Sequence, residues 1–145
     1  MKKLFSALLL MIACTGILCI SSCKKKDKEK ITLQKLQGKW KVVSFVANFH
    51  DLQGDHPSPS DPVNATDSYD FNTDGKVYIT KSGVTNSYPY TFTNYAATGE
   101  NKVEFLQVSW TIQTLTDTAL KLYHKRTPDP SKPDDFQEYT INLSK

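Results

Sequence analysis

Cysteine, histidine and the acidic side chains are the residues of this chain whose types and spacing could do chemistry. Cys14, Cys19 and Cys23 are its three thiols. Cys23 stands apart, because it follows Ile20-Ser21-Ser22 where a long apolar run gives way to Lys24-Lys25-Lys26. Two small residues before a cysteine let an extended backbone enter a narrow peptidase cleft, and the thiol is a nucleophile. Cys19 follows the bulky Leu18, and Cys14 lies inside the apolar run, so neither has that setting. His50-Asp51 and Asp55-His56 put imidazoles and carboxylates in one polar stretch, where they could meet a metal. Loop residues of these types are more often simply solvated, so no metal site is expected. Asp134-Asp135 beside Pro133 reads as a solvated turn rather than a catalytic carboxylate pair. The chain has no nucleophile elbow, Walker loop, dinucleotide fingerprint or zinc-protease motif. No catalytic residue, no cofactor and no enzymatic activity are expected.

The segment around Cys23 has the layout of a secretory leader. Lys2 and Lys3 give a positive start, and Leu4 to Ile20 is almost wholly apolar. That run is short for a permanent span, which needs about 20 apolar residues. Ile20-Ser21-Ser22-Cys23 resembles the lipobox of bacterial lipoproteins, with isoleucine where leucine is commoner. The resemblance implies cleavage after residue 22, a diacylglycerol on the Cys23 thiol, and membrane attachment in the cell envelope, at the outer membrane. Acidic residues soon after the cysteine accompany surface export in such lipoproteins. Lys24-Lys25-Lys26 does not match that signal, so periplasmic and surface-facing placement both stay open. Residues 1–22 are thus read as signal peptide, 23–32 as lipidated cysteine and flexible tether, and 33–145 as the folded domain.

Removing 22 of the 145 residues leaves 123, one domain's worth of chain. The leader takes two of the 18 basic residues and no acid, leaving 16 against 15, a net charge near +1. The precursor's basicity therefore gives no argument for nucleic acid, and no basic face with interleaved aromatics stands out. Cys23 is the one thiol left after cleavage. That excludes an internal disulfide, a thiol enzyme and a cysteine-zinc site together.

The elements that must position any site are short strands. Residues 31–37 allow one or two helical turns, stopped by Gly38. Lys39–Asn48 reads as a strand whose side-chain parity slips between Val42 and Val43, which predicts a bulge. His50–Asp67, with Pro57, Pro59 and Pro62, reads as a long loop or flap. Ser68–Asn72 and Lys76–Lys81 form a hairpin about Asp74-Gly75. Asn86–Asn94 alternates cleanly, with Pro89 suggesting an edge. Lys102–Gln107, Val108–Leu115, Ala119–His124 and Phe136–Leu143 complete the pattern, and Arg126–Asp135 is a second Pro-rich loop. About eight antiparallel strands joined in sequence predict an all-β, up-and-down barrel, since closure removes exposed edges.

Leu36-Gln37-Gly38-Lys39-Trp40, a helical turn followed by Gly-x-Trp and a strand, resembles the opening of lipocalin-like barrels. Tyr69-Asp70-Phe71-Asn72 with Asp74-Gly75-Lys76, and Trp110-Thr111-Ile112 followed by Leu120-Lys121-Leu122, extend the resemblance over residues 33–143. The chain looks like the small lipocalin-like lipoproteins of Bacteroidetes. That resemblance implies that Gly38 and Trp40 close one barrel end and that the interior binds a small hydrophobic or amphipathic molecule. In lipocalins an arginine from the last strand packs across the motif tryptophan. The only arginine here, Arg126, precedes the final strand. Tyr69, Phe71, Tyr88, Tyr90, Phe92, Trp110, Tyr123 and Tyr139 are the candidate interior ligand contacts. An eight-stranded barrel interior is either filled by such side chains or holds one small ligand. The alternative role is that of an interaction or structural subunit whose loops contact another envelope protein.

Overall fold

The computed structural model describes residues 32–58, 62–95 and 98–145. Cys23, the leader and all but the last residue of the expected tether lie outside the described residues. The chain divides into two units, Met1–Gln34 and Lys35–Lys145. The second is the barrel. A single helical turn, residues 32–36, leads into it where the sequence places one.

The strands are β1 (Gly38–Asp51), β2 (Gly54–Ser58), β3 (Ser68–Phe71), β4 (Lys76–Lys81) and β5 (Val84–Tyr95). They continue as β6 (Glu100–Phe105), β7 (Val108–Leu115), β8 (Ala119–Arg126) and β9 (Phe136–Ser144). All neighbouring pairs are antiparallel, in the order β2-β1-β3-β4-β5-β6-β7-β8-β9, and β1 pairs back onto β9. Eight strands therefore close an up-and-down barrel, and β2 is an extra strand outside the circuit.

β1 holds the barrel shut because it is long enough to serve three partners. One edge pairs with β9 from Lys41 opposite Ser144 to His50 opposite Phe136. The other pairs with β3 only over Gly38–Lys41. The Val42 amide then donates to the Asp67 carbonyl at 2.9 Å, and farther along β2 takes up Ala47–Asp51. The register shifts between Val42 and Ser44, where the parity slip in the sequence predicts a bulge. The bulge lets Val42 and Phe45 both pack on the core while Val43 is 60% exposed.

The stretch from His50 to Asp67 is not all loop, as its composition suggests. β1 runs on to Asp51, the Asp51 carboxylate accepts the Gln53 amide at 2.7 Å, and Gly54–Ser58 returns as β2. Its polar side chains carry no apolar alternation, because almost none of β2 is buried. Pro57 is tolerated because β2 is an edge.

β5 is shared in the same way. Val84–Pro89 pairs with β4, and Tyr90–Tyr95 with β6. Pro89 thus sits where β6 has not yet begun, at the edge expected for it.

The core is Leu36, Trp40, Phe71, Val77, Val103, Phe105, Trp110, Leu120, Leu122, Ile141 and Leu143. Leu36 comes from the helical turn and the others from every barrel strand except β5, whose Tyr88, Tyr90 and Phe92 pack against the cluster from partial exposure.

Candidate functional site

The Gly-x-Trp pattern brings a set of side chains together where the helical turn meets β1. Trp40 is fully buried, and its Nε1–H donates to the Leu36 carbonyl at 2.7 Å. Gly38 has φ of +105°, a conformation that a side chain would strain. Lys145, just past β9, lays its ammonium 4.3 Å from the centre of the Trp40 ring. The same ammonium donates to the carbonyls of Lys35 at 3.2 Å and Gln37 at 2.9 Å. It thereby satisfies acceptors that the end of the helical turn leaves open. A terminal lysine thus supplies the cation over the motif tryptophan. Arg126, by contrast, ends β8.

Within the barrel the candidate aromatics fall into a continuous series. Tyr90 meets Phe71 edge-on at 5.3 Å, Phe71 meets Phe105 at 6.0 Å, and Phe105 stacks on Trp110 at 5.8 Å. Trp110 touches His124 at 5.6 Å, His124 stacks on Tyr139 at 6.0 Å, and Tyr139 reaches Phe45 at 6.2 Å. Tyr69 joins from the side, 5.9 Å from Phe105. Phe92 packs on the same cluster. Of the expected ligand-contacting rings, Phe71 and Tyr90 meet directly, and Tyr69, Trp110 and Tyr139 join them through Phe105 and His124. Tyr123 lies on the alternate face of β8 from Leu120 and Leu122, and its hydroxyl donates to Glu138. Burial, then the Glu138 carboxylate, pushes that hydroxyl up to about 12.

The space that remains is a cavity of about 150 Å³ between the inner faces of β9, β1, β3 and β4. Val42, Phe45, Tyr69, Ile79 and Ile141 line it, with Pro62, Val63, Asp67, Thr80 and Lys81 at its rim. It exists because β3 stops pairing with β1 at Lys41 and β2 begins only at Ala47. The chain between them, residues 62–67, arches over the gap. Of the expected interior residues, Tyr69 alone lines this cavity. The aliphatic lining carries no chemical signature in the sequence. Only the Val42–Val43 parity slip and Pro62 hint at an opening there.

The roof is fastened by one carboxylate. Asp67 Oδ2 accepts the Asn64 amide at 3.0 Å, and Oδ1 accepts the Ser82 amide of the β4–β5 turn at 2.8 Å. Asn64 Nδ2 also donates to the Ser82 hydroxyl at 3.1 Å. The two amides hold the Asp67 carboxyl below its ordinary value, against the opposing effect of burial. Burial, reinforced by the Asp67 charge, raises the Tyr69 hydroxyl to about 12. Tyr69 thus stays neutral across the physiological pH range, and the charges on the lining are those of Asp67 and Lys81.

Two other surfaces are less enclosed. A groove of about 630 Å³ runs past Tyr88, Pro89, Tyr90, Thr91, Glu104, Phe105, Leu106 and Gln107, beside the part of β5 that β6 does not cover. It lies open to water. At the β1–β2 hairpin, His50 Nδ1 is 2.6 Å from Asp55 Oδ1, and its ring stacks on Phe136 at 4.2 Å. His50 Nε2 faces Glu138 at 3.3 Å without hydrogen-bond geometry. His56 Nε2 pairs with Asp51 at 3.2 Å. These imidazoles and carboxylates pair across the hairpin. Among the described residues no three histidine, cysteine or acidic side chains are placed to hold a metal ion.

No family model matches the chain, and no curated protein or solved structure is similar to it.

Proposed function

We propose that this chain is a non-enzymatic, lipid-anchored binding module of the cell envelope, holding a small apolar or amphipathic molecule inside its barrel. The observation that carries the reading is the apolar cavity roofed by residues 62–67. It is a half-open space of about 150 Å³ lined mainly by hydrophobic side chains, the kind of concave surface that small ligands occupy. Its roof is tied by hydrogen bonds both to the β4–β5 turn and to the Val42 amide of β1. The Ile20-Ser21-Ser22-Cys23 pattern supports the anchor.

Native mass spectrometry of the gently purified protein tests the binding reading. A reproducible small adduct is expected, and a consistently empty protein would count against it. Cys23→Ala tests the anchor, with release from the membrane fraction expected. Unchanged membrane association would refute lipidation at that residue.

A second reading, an interaction subunit of an envelope assembly, is favoured by exposed apolar side chains. Phe49 and Leu52 of the β1–β2 hairpin, Val63 of the roof and Leu106 of the β6–β7 turn are all exposed. Copurification of a stoichiometric protein partner with an empty barrel would favour it.

A further inference from the structure

We infer that the cavity selects a molecule of one aromatic ring carrying at most one polar substituent, and rejects long acyl chains and fused rings. The inference rests on the binding reading above and narrows it to a ligand class.

Size comes first. An apolar cavity near 150 Å³ stays dry and accommodates a benzene-sized guest. Sites for drug-sized ligands begin at about 300 Å³. The space here is about 150 Å³, so one ring fills it.

Depth comes next. A long chain would have to continue inward past Phe45 and Tyr69. There the stacked series of Tyr139, His124, Trp110 and Phe105 already occupies the interior. Close-packed rings do not part for a methylene chain without losing their contacts.

The chemistry of the wall then favours an aromatic guest over an aliphatic one. Phe45 and Tyr69 offer ring surfaces to it, and Val42, Ile79 and Ile141 close the remaining sides. Aromatic pairs in offset or edge-on contact gain beyond their buried area. Besides the Tyr69 hydroxyl, the polar groups of the lining belong to Thr80, Lys81 and Asp67. Both Asp67 oxygens already accept backbone amides. A single polar substituent therefore fits where the space opens to water, and a second one deeper in would be buried against hydrocarbon.

The test uses the full lipidated chain in lipid nanodiscs with methyl-labelled valine and isoleucine. Phenol, 2-naphthol and hexadecanoate are added separately. Phenol is expected to shift the methyl signals of Val42, Ile79 and Ile141, with little change from the other two. Val42→Phe, which fills the space, should weaken phenol binding at least tenfold. Ile141→Ala, which enlarges it, should admit 2-naphthol, and it provides an independent check if Val42→Phe folds poorly. Shifts of these methyls by hexadecanoate or 2-naphthol in the unaltered protein would overturn the ligand class and leave the binding reading standing. So would a copurified adduct heavier than a single-ring compound. No response to any probe, together with an empty protein in native mass spectra, would overturn both.

Discussion

At the scale of the residue, two side chains far apart in sequence each hold a part of the barrel that secondary structure does not. Lys145 bridges the Trp40 ring and the Lys35 and Gln37 carbonyls. Cation–ring contacts contribute about 0.5–2 kcal/mol according to their exposure. Lys145→Ala should lower the unfolding free energy by about 1–2 kcal/mol in urea titration, and Lys145→Arg should retain most of it. Asp67 does the same for the roof. Its carboxyl is held below the ordinary value by the Asn64 and Ser82 amides, so the folded state prefers the anion. The stabilisation is complete above the unfolded carboxyl value, about 3.9, and is lost as pH falls through the lower folded value. Amide exchange at Asn64 and Ser82, corrected for intrinsic rates, should therefore accelerate only in that acid range. In Asp67→Asn it should be fast at every pH. Neither role was legible in the sequence. Lys145 follows the last strand without a motif, and Asp67 is one carboxylate among several in a polar stretch. The burial of Trp40 was legible because a short helix, Gly-x-Trp and a strand set a large apolar ring at the start of β1.

At the scale of the element, turn chemistry and pairing set what the sequence displays. The β3–β4 hairpin about Asp74-Gly75 was legible, although only Gly75 takes positive φ, at +78°. Asp74 instead braces the turn, accepting the Lys76 amide at 2.9 Å and the Tyr78 hydroxyl at 2.8 Å. The β6–β7 turn uses Leu106 and Gln107 at φ of +53° and +61°, where neither side chain is at ease. Gln107→Gly should stabilise the barrel by about 1 kcal/mol in thermal or urea unfolding. An unchanged or lower stability would show that this backbone carries no strain. β2 escaped sequence reading because its residues are nearly all polar and exposed. Its pairing is reinforced by His50 with Asp55 and by His56 with Asp51, the second a largely solvent-facing contact. His56→Ala should therefore cost no more than about 1 kcal/mol overall. Its effect should appear as faster amide exchange confined to Gly54–Ser58 and the facing residues of β1.

At the scale of the whole molecule, the fold class followed from alternation and turn spacing, but the state of the interior did not. The sequence supplies enough aromatic side chains either to fill an eight-stranded barrel or to line a cavity within one, and composition cannot divide them. Geometry does. The rings from Tyr90 to Phe45 pack on each other, and the space left over is bounded mainly by aliphatic residues where β1 changes partners. The cavity is thus a consequence of strand pairing: β3 ends too early and β2 starts too late to cover the middle of β1. The central claim is that this space holds one small molecule. The most direct measurement is a crystal structure of the protein purified from its native envelope without added ligand. The account predicts density the size of a single ring among Val42, Phe45, Tyr69, Ile79 and Ile141. Side chains collapsed into that space, or an extended chain threading between Phe105 and Trp110, would contradict it.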